Sequence, residues 1–262
     1  MTVSILGCGW YGFEFAKSLV NKWIKVKGST TTTGKLAMLA EYGIAPYQID
    51  LSPDNEIIES DFFICDVLWI CIPPKARAGQ GAEYITKLER LLPHITDNHI
   101  KEVILISSTG VYGDNNTEVT ELDIPEPDSE SGKILLSAEN LLKARADFNT
   151  TIIRFGGLIG PGRDPGRFFA GKKDISNGDA PVNLIHLTDC VGISNVILDN
   201  QAFGTTYNAV SPSHPTRAEF YTEAAIRSGL DEPEFINEKQ NWKIVNTINV
   251  DRILGYQYQI AI

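Results

Sequence analysis

The stretch from Val3 to Gly12, Val-Ser-Ile-Leu-Gly-Cys-Gly-Trp-Tyr-Gly, decides the fold class of this chain. Its first four residues have the mostly apolar character of a buried strand, and a helical pattern follows over residues 11–22. Between the two lie Gly7, Gly9 and Gly12, which permit a tight turn, close approach of a phosphate and close helix–strand packing. The pattern predicts a turn that binds a nucleotide at a helix N-terminus. The alternative is a tight turn with a structural role alone.

Outward from this turn, strand patterns alternate with helical patterns. Strands are predicted at residues 3–6, 25–29, 45–51, 66–72, 101–107 and 150–155, and helices at 11–22, 35–42, 82–92 and 129–146. This alternation, with continuously apolar strands, predicts a parallel sheet covered by helices on both faces. We therefore expect a doubly wound, Rossmann-type α/β fold in a single domain over residues 1–262. Its core covers about 1–155, and a small C-terminal substrate lobe lies within 156–262.

Prolines and polar residues predict where some elements end. Pro93 is expected to end the helix at 82–92, because proline cannot donate the backbone hydrogen bond that a helix interior needs. In the C-terminal part, a strand pattern at 182–187 runs into a helix that Thr188 or Asp189 is expected to cap.

The composition is that of an ordinary globular protein with an acidic balance. Of 262 residues, 43% are hydrophobic and 21% are charged, which is enough apolar material for a full core. Lys and Arg total 23 against 33 Asp and Glu, a net charge of −10. The chain therefore lacks the broad basic face that binds nucleic acid or an anionic membrane. No apolar run approaches the roughly 20 residues of a membrane span, and the strand that begins at residue 3 predicts no signal peptide.

The four cysteines, Cys8, Cys65, Cys71 and Cys190, show no metal-ligand spacing. Two of them lie in apolar strand sequence, so they are predicted to be reduced packing residues of a cytoplasmic protein. No metal site is predicted. The expected partner is a small-molecule substrate, with neither nucleic acid nor membrane.

The end of the second predicted strand decides which dinucleotide is bound. NAD sites place an Asp or Glu there to accept hydrogen bonds from the ribose hydroxyls. Residues 15–40 contain no acidic side chain and instead carry Ser29, Thr30, Thr31 and Lys35. Hydroxyl groups and an ammonium group suit a 2′-phosphate, which a carboxylate would repel. This favours NADP(H) over NAD(H); the alternative is a solvated polar turn with no cofactor preference.

Ligands of such sheets bind beyond the carboxyl ends of the strands, and three segments are predicted to lie there. They are Ile-Pro-Pro at 72–74, Ser-Ser-Thr-Gly-Val-Tyr-Gly at 107–113 and Arg-Phe-Gly-Gly-Leu-Ile-Gly-Pro-Gly at 154–162. Together with the glycine turn and the polar loop, they supply the predicted cofactor contacts: Gly7, Cys8, Gly9, Trp10, Tyr11, Gly12, Ser29, Thr30, Thr31, Lys35, Ile72, Pro73, Pro74, Ser107 and Phe155.

These motifs, followed by Ile-His-Leu-Thr-Asp at 185–189, stand in the order found in the extended short-chain dehydrogenase/reductase superfamily, which the chain resembles over almost its whole length. That superfamily contains the NAD-dependent epimerases and dehydratases of nucleotide sugars. The residues 160–172, with 182–186, resemble its YeeZ-like atypical subgroup. The resemblance implies a cofactor-dependent enzyme and allows a homodimer.

The resemblance also implies an active site made of a Ser or Thr and a Tyr-x-x-x-Lys pair on one helix face. Ser108 matches the serine, which hydrogen-bonds the substrate oxygen. The tyrosine position falls on Ser131 and the lysine position on Leu135, so the usual proton donor and its partner are absent. Lys133 points to another helix face. Tyr112 is the alternative acid, in a turn that is structural in the family.

A basic loop follows the sixth predicted strand and carries Arg163 and Arg167, whose guanidinium groups suit phosphate or carboxylate. They are the candidate substrate anchors, with Asn183 beside them; a solvated charged loop is the alternative. His186 is expected to be a buried, hydrogen-bonded residue and not a catalytic base.

The sequence thus predicts an NADP(H)-binding oxidoreductase or epimerase/dehydratase-like enzyme that acts on a small anionic or sugar-derived substrate. The alternative is a catalytically silent NADP(H)-binding sensor or regulatory protein, which the missing tyrosine and lysine favour.

Overall fold

The computed structural model describes residues 1–52, 54–74 and 81–262. Its strands are β1 (Thr2–Leu6), β2 (Lys25–Thr30), β3 (Ala45–Gln48), β4 (Asp50–Ser52), β5 (Asn55–Ile57), β6 (Val67–Ile70), β7 (Glu102–Ser108), β8 (Thr117–Val119), β9 (Asn149–Phe155), β10 (Gly157–Ile159), β11 (Leu184–His186), β12 (Thr206–Ala209) and β13 (Lys243–Val245). Its α-helices are α1 (Trp10–Asn21), α2 (Leu36–Glu41), α3 (Gly81–Asp97), α4 (Glu130–Lys143), α5 (Gly166–Phe169), α6 (Leu187–Asp199) and α7 (Arg217–Arg227).

Within the described residues, seven strands form one parallel sheet in the order β12-β9-β7-β6-β1-β2-β3. The chain builds outward from β1 in one direction and then from β6 in the other. The switch point therefore lies between β1 and β6, where the connections that leave the two strands diverge and open a crevice. The prediction of a doubly wound, Rossmann-type fold is confirmed.

Helices cover both faces of this sheet. On one face α1 and α6 pack together, with Phe15 and Ile193 fully buried between them and the strands. On the other face α3 and α4 pack together, with Leu88 and Leu142 fully buried. Because both faces are covered, β6 is buried at every position, which explains its apolar run without alternation.

The third predicted strand, at 45–51, is split in the structure. Its first part, β3, pairs with β2, and the Ile49 amide makes the last link to that strand by donating to the Thr30 carbonyl at 3.1 Å. In the segment that follows, the Ser52 amide donates to Asp50 Oδ1 at 2.9 Å. The second part, β4, pairs antiparallel with β5 in a hairpin outside the central sheet.

The prediction that Pro93 ends its helix is wrong, because α3 runs through it to Asp97. Proline at that position removes one hydrogen bond near the end of the helix. Leu88, Leu91 and Ile95 are fully buried on both sides of Pro93. Continued burial of this apolar face offsets the missing bond.

The central sheet extends beyond the predicted core of residues 1–155, because β12 adds its seventh strand and α6 covers it. Other elements of the C-terminal part lie outside this sheet. There α5 packs on α7, and Phe169, Tyr221 and Phe235 form an aromatic cluster. Among the helices described, none has the length and apolar character needed to cross a membrane.

Candidate functional site

The glycine turn joins β1 to α1 and is tied to β2. Gly7 has φ +99°, a conformation that favours glycine, and its amide donates to Ser29 Oγ at 2.9 Å. The Cys8 amide donates to the Ser29 carbonyl at 2.8 Å. A Cβ on Gly12 would clash with the Gly7 carbonyl oxygen, so glycine lets α1 begin this close to β1. The structural roles predicted for the first and third glycines are confirmed.

The turn leaves the N-terminus of α1 free for an anion. A Cβ on Gly9 would meet no atom within 4 Å. In the part of the chain that is described, no side chain caps α1 and no acidic residue occupies its first turn. The positive end of the helix and its first N–H groups, from Trp10 onward, therefore lack a protein partner of opposite charge.

A cavity of about 300 Å³, here called the glycine-turn cavity, opens at the carboxyl ends of β1, β2 and β6. Most of the predicted cofactor contacts line it: Gly7, Cys8, Gly9, Ser29, Thr30, Thr31, Lys35, Ile72, Pro73 and Pro74. Sequence reasoning missed the other lining residues: Leu6, Thr32, Ile49, Asp50, Leu51, Ser52, Cys71, Tyr84 and Lys87. Several of these belong to α3 or to β4. The sequence did not separate β4 from the third predicted strand.

The polar loop after β2 forms one wall of the glycine-turn cavity. The Thr32 amide donates to Thr30 Oγ1 at 3.1 Å, which bends the loop directly after the strand. Ser29 is buried, whereas Thr31 and Lys35 are exposed. No ion pair ties the Lys35 ammonium group to a carboxylate of the described residues. Hydroxyl groups and one unpaired positive charge therefore meet in this wall.

Asp50 and Lys87 add a carboxylate and a second ammonium group to the wall. Burial raises the pKa of Asp50, but hydrogen bonds from Ser52 and Asn55 and the charge of Lys87 outweigh it, so the pKa lies below its ordinary value. Lys87 also pairs with Glu83 at 3.4 Å. Asp50 is thus an ionised acceptor for a ligand N–H or O–H group at neutral pH.

The two candidate catalytic serines lie in segments that touch. Ser108 ends β7, and its Oγ accepts from the Gly110 amide at 3.1 Å. Ser129 caps α4 by accepting from the Gly132 amide at 3.1 Å, and a Cβ on Gly132 would clash with the Gly110 carbonyl. The first turn of α4, which contains Ser131, therefore packs against the turn after Ser108. Both Ser108 and Ser131 are half-buried.

Protein YeeZ of Escherichia coli K12 is 35% identical to this chain over 264 residues, which cover 98% of this chain and 95% of that protein. This chain belongs to the YeeZ family. No protein-family model matches it.

The fold of this YeeZ-family chain is shared with solved structures that contain NAD. The UDP-glucuronic acid 4-epimerase of Bacillus cereus, solved in complex with NAD, matches with a TM-score of 0.82 and 18% identity, over 100% of this chain and 94% of that one. MoeE5, solved with UDP-glucuronic acid and NAD, matches with a TM-score of 0.81 and 19% identity, over 100% and 95% of the two chains. The resemblance to the YeeZ-like subgroup is confirmed, and the solved structures show that their fold is shared over the whole chain.

In this member of the YeeZ family, the position matched to the catalytic lysine belongs to the core. Leu135 is buried on α4 and packs in the apolar cluster on that face of the sheet. Lys133 is exposed, in agreement with its predicted helix face. The side chain at the lysine position is therefore unable to reach a ligand.

Behind Ser108, the YeeZ-family chain buries a network of charged and polar groups. Arg154 on β9 is 3% exposed and Glu139 on α4 is fully buried. Arg154 donates from Nε to Oε1 of Glu139 at 3.0 Å and from Nη2 to Oε2 at 2.6 Å, a bidentate pair. Ser107 donates to the same Oε1 at 2.6 Å. The hydroxyl of Ser107, a predicted cofactor contact, is therefore used inside the fold.

Tyr112 belongs to that network. Its hydroxyl accepts from Arg154 Nη1 at 2.6 Å, and its single hydrogen is within reach of two acceptors, the Thr120 carbonyl at 2.9 Å and Asn208 Oδ1 at 3.1 Å. Burial raises the pKa of Tyr112, and the charge of Arg154 only partly offsets this. Tyr112, the alternative acid, is not among the described residues that line the glycine-turn cavity.

The basic loop brings Arg163, and not Arg167, to the glycine turn. The guanidinium carbon of Arg163 lies 4.3 Å from the centre of the Trp10 ring, a cation–π arrangement. Trp10 Nε1 donates to the Pro161 carbonyl at 2.6 Å and holds the loop there. Arg167 is 78% exposed and lies 3.6 Å from Asp164 in a surface ion pair.

Tyr11, Phe155 and Asn183 have side chains that are occupied in the fold. The Tyr11 hydroxyl lies 2.6 Å from Ser194 Oγ, and its ring meets Phe155 edge-on. The Asn183 amide group exchanges hydrogen bonds of 2.9 and 2.7 Å with the backbone of β13. Of these three, Tyr11 alone lies in the first turn of α1, which no side chain caps among the described residues.

His186 caps α6, since its Nδ1 accepts from the Thr188 amide at 3.1 Å. The expectation that Thr188 or Asp189 caps this helix is wrong. Asp189 lies in the first turn, where its buried carboxylate accepts from the Tyr256 hydroxyl at 2.8 Å and the Gln259 amide at 2.7 Å. That carboxylate is needed to hold the C-terminal segment against α6.

Proposed function

We propose that this chain binds a nicotinamide dinucleotide in the glycine-turn cavity and acts as an oxidoreductase or epimerase/dehydratase-like enzyme on a small anionic or sugar-derived substrate. The main support for this proposal is that one cavity, at the switch point of the sheet, is lined both by the uncapped N-terminus of α1 and by the polar loop with its unpaired Lys35. The NAD bound in two solved proteins of the same fold supports this proposal.

We propose NADP(H) over NAD(H) as the cofactor. The hydroxyl groups of Thr30 and Thr31 and the charge of Lys35 would hold the 2′-phosphate, and residues 31–35 of the loop after β2 contain no acidic side chain that would repel it. The backbone N–H groups of Trp10, Tyr11 and Gly12 would hold the diphosphate. Ile72, Pro73 and Pro74 would pack against the nucleotide from the end of β6.

In the enzymatic proposal, Ser108 hydrogen-bonds the substrate oxygen, with Ser131 in the adjoining turn of α4. Arg163, held beside the glycine turn by Trp10, would pair with the negative charge of the substrate. The second candidate function is a catalytically silent NADP(H)-binding sensor or regulatory protein. The burial of Leu135 at the lysine position favours it.

We also propose a cytoplasmic location, supported by four free cysteines that are buried or half-buried. A homodimer stays a prediction.

Thermal unfolding with NADPH, NADP⁺, NADH and NAD⁺ tests the cofactor proposal. A ligand at about 100 times its Kd adds about 2.7 kcal/mol to the free energy of unfolding, a rise in Tm of several degrees. We expect that rise with the two phosphorylated forms. Lys35→Ala should reduce it for NADP(H) and leave the response to NAD(H) unchanged. Equal responses of the wild-type protein to NADH and NADPH would contradict the proposed preference.

Turnover of NADPH with a panel of carbonyl substrates separates the two candidate functions. If the chain is an enzyme, Ser108→Ala is expected to lower turnover by about 10²–10³-fold, because a hydrogen-bond donor to the reacting oxygen is lost. NADPH affinity should stay unchanged. Turnover that is indifferent to Ser108→Ala would remove this serine from the reaction, and NADPH binding without any turnover would favour the sensor.

A further inference from the structure

Tyr84, in the first turn of α3, has a buried hydroxyl group without a hydrogen-bond partner. The residue is 1% exposed and is one of the residues that line the glycine-turn cavity. Its hydroxyl oxygen is among the few buried side-chain polar atoms of the described residues that form no hydrogen bond. Buried tyrosine hydroxyls usually find a partner, because an unpaired polar group loses its hydration without compensation.

The groups around Tyr84 explain why the fold itself does not supply that partner. Glu139 is close enough to raise the pKa of Tyr84, yet its carboxylate already accepts from Ser107 and bidentately from Arg154. Cys71, the other close titratable group, lies at the end of β6 and also lines the cavity. A thiol is a weak acceptor.

The protonation state of Tyr84 fixes what kind of partner it can take. Burial is the main cause that raises its pKa above the ordinary value, so the phenol is neutral at physiological pH. A neutral phenol donates one hydrogen bond, and its natural complement is an acceptor oxygen. Phosphate and ribose groups carry such oxygens, and the glycine turn that would hold them lines the same cavity.

We infer that Tyr84 is a ligand-binding residue whose hydroxyl donates a hydrogen bond to a phosphate or ribose oxygen of the bound dinucleotide. The inference rests on the proposed function, and it adds a contact from α3 to those from the glycine turn and the polar loop. Tyr84 is the single tyrosine among the described lining residues of this cavity. The bound ligand would then supply the hydrogen-bond acceptor that the Tyr84 hydroxyl lacks in the fold.

Tyr84→Phe removes this hydroxyl and keeps the ring. We expect the Kd for NADP⁺, measured by isothermal titration calorimetry, to rise about 5- to 20-fold, the loss of one hydrogen bond. The Tm without ligand should be unchanged or higher, because an unsatisfied buried group has been removed. Tyr258→Phe is the control: its hydroxyl is also buried, with the Val210 backbone near it, and the residue packs on the other face of the sheet, outside the described cavity wall. Its Kd should equal that of the wild type.

The outcomes separate this inference from the proposed function. If the wild-type protein binds NADP⁺ and Tyr84→Phe binds it equally well, Tyr84 is not a ligand-binding residue, and the proposed function stands. If Tyr84→Phe lowers the ligand-free Tm while Tyr258→Phe does not, the hydroxyl has a structural role and the inference is overturned. If the wild-type protein binds none of the four dinucleotides, the proposed function fails and the inference with it.

Discussion

Glu139→Ala is expected to lower the free energy of unfolding by about 3–5 kcal/mol, because it leaves the Arg154 guanidinium group buried without its partner. The two side chains are 1% and 3% exposed, so water cannot replace the lost carboxylate. Ser107 also loses its acceptor, and Tyr112 stays bound to an arginine that has become unpaired. Urea unfolding followed by circular dichroism measures the loss as a lower midpoint.

A surface pair of the same charge type provides the control. Lys22 and Asp199 lie 2.5 Å apart, but their side chains are 40% and 49% exposed. Asp199→Ala should therefore cost only about 0–1 kcal/mol. Replacement of both Glu139 and Arg154 by Met should recover much of the loss, because no charge is then left buried. If Glu139→Ala lowers the free energy of unfolding no more than Asp199→Ala does, the buried network does not stabilise the packing of α4 on β9.

The sheet and the first half of the site could be predicted because their causes are local in sequence. A buried strand, three glycines at fixed spacing and an amphipathic helix follow each other within residues 3–22, and the hydroxyl-rich loop follows β2 directly. Each of these patterns determines the structure of the residues next to it. The predicted glycines therefore lie in a turn, and Thr30, Thr31 and Lys35 lie in a loop at the same edge of the sheet.

The missed parts depend on contacts between distant segments. Glu139 and Arg154 carry charges that sequence patterns place on a surface, and only their mutual pairing makes burial tolerable. Asp50 lies in the cavity wall because the third predicted strand is split, and residues 50–52 pair with β5 outside the central sheet. In the sequence, Tyr84 is one of several apolar positions of a helix, and the adjacent residues do not indicate that its hydroxyl is left without a hydrogen bond. Tertiary packing decides all three.

Gly12→Ala is expected to destabilise the fold by about 2–3 kcal/mol, because its Cβ would overlap the Gly7 carbonyl oxygen and neither backbone can yield without moving α1. The same displacement moves the N-terminus of α1 away from the glycine-turn cavity. Both the Tm and the affinity for NADP⁺ should therefore fall. Thermal unfolding and titration of the same samples measure the two effects.

Gly9→Ala separates these effects, since the two glycines lie in the same turn but meet different surroundings. A Cβ on Gly9 has open space and the backbone there is extended, so the free energy of unfolding should change by less than about 0.5 kcal/mol. That open space is where the diphosphate must approach the backbone, so the added methyl group should weaken NADP⁺ binding about tenfold or more. If Gly9→Ala lowers the free energy of unfolding as much as Gly12→Ala does, both glycines are needed for packing. Unchanged NADP⁺ affinity in a stable Gly9→Ala variant would instead place the diphosphate away from this turn.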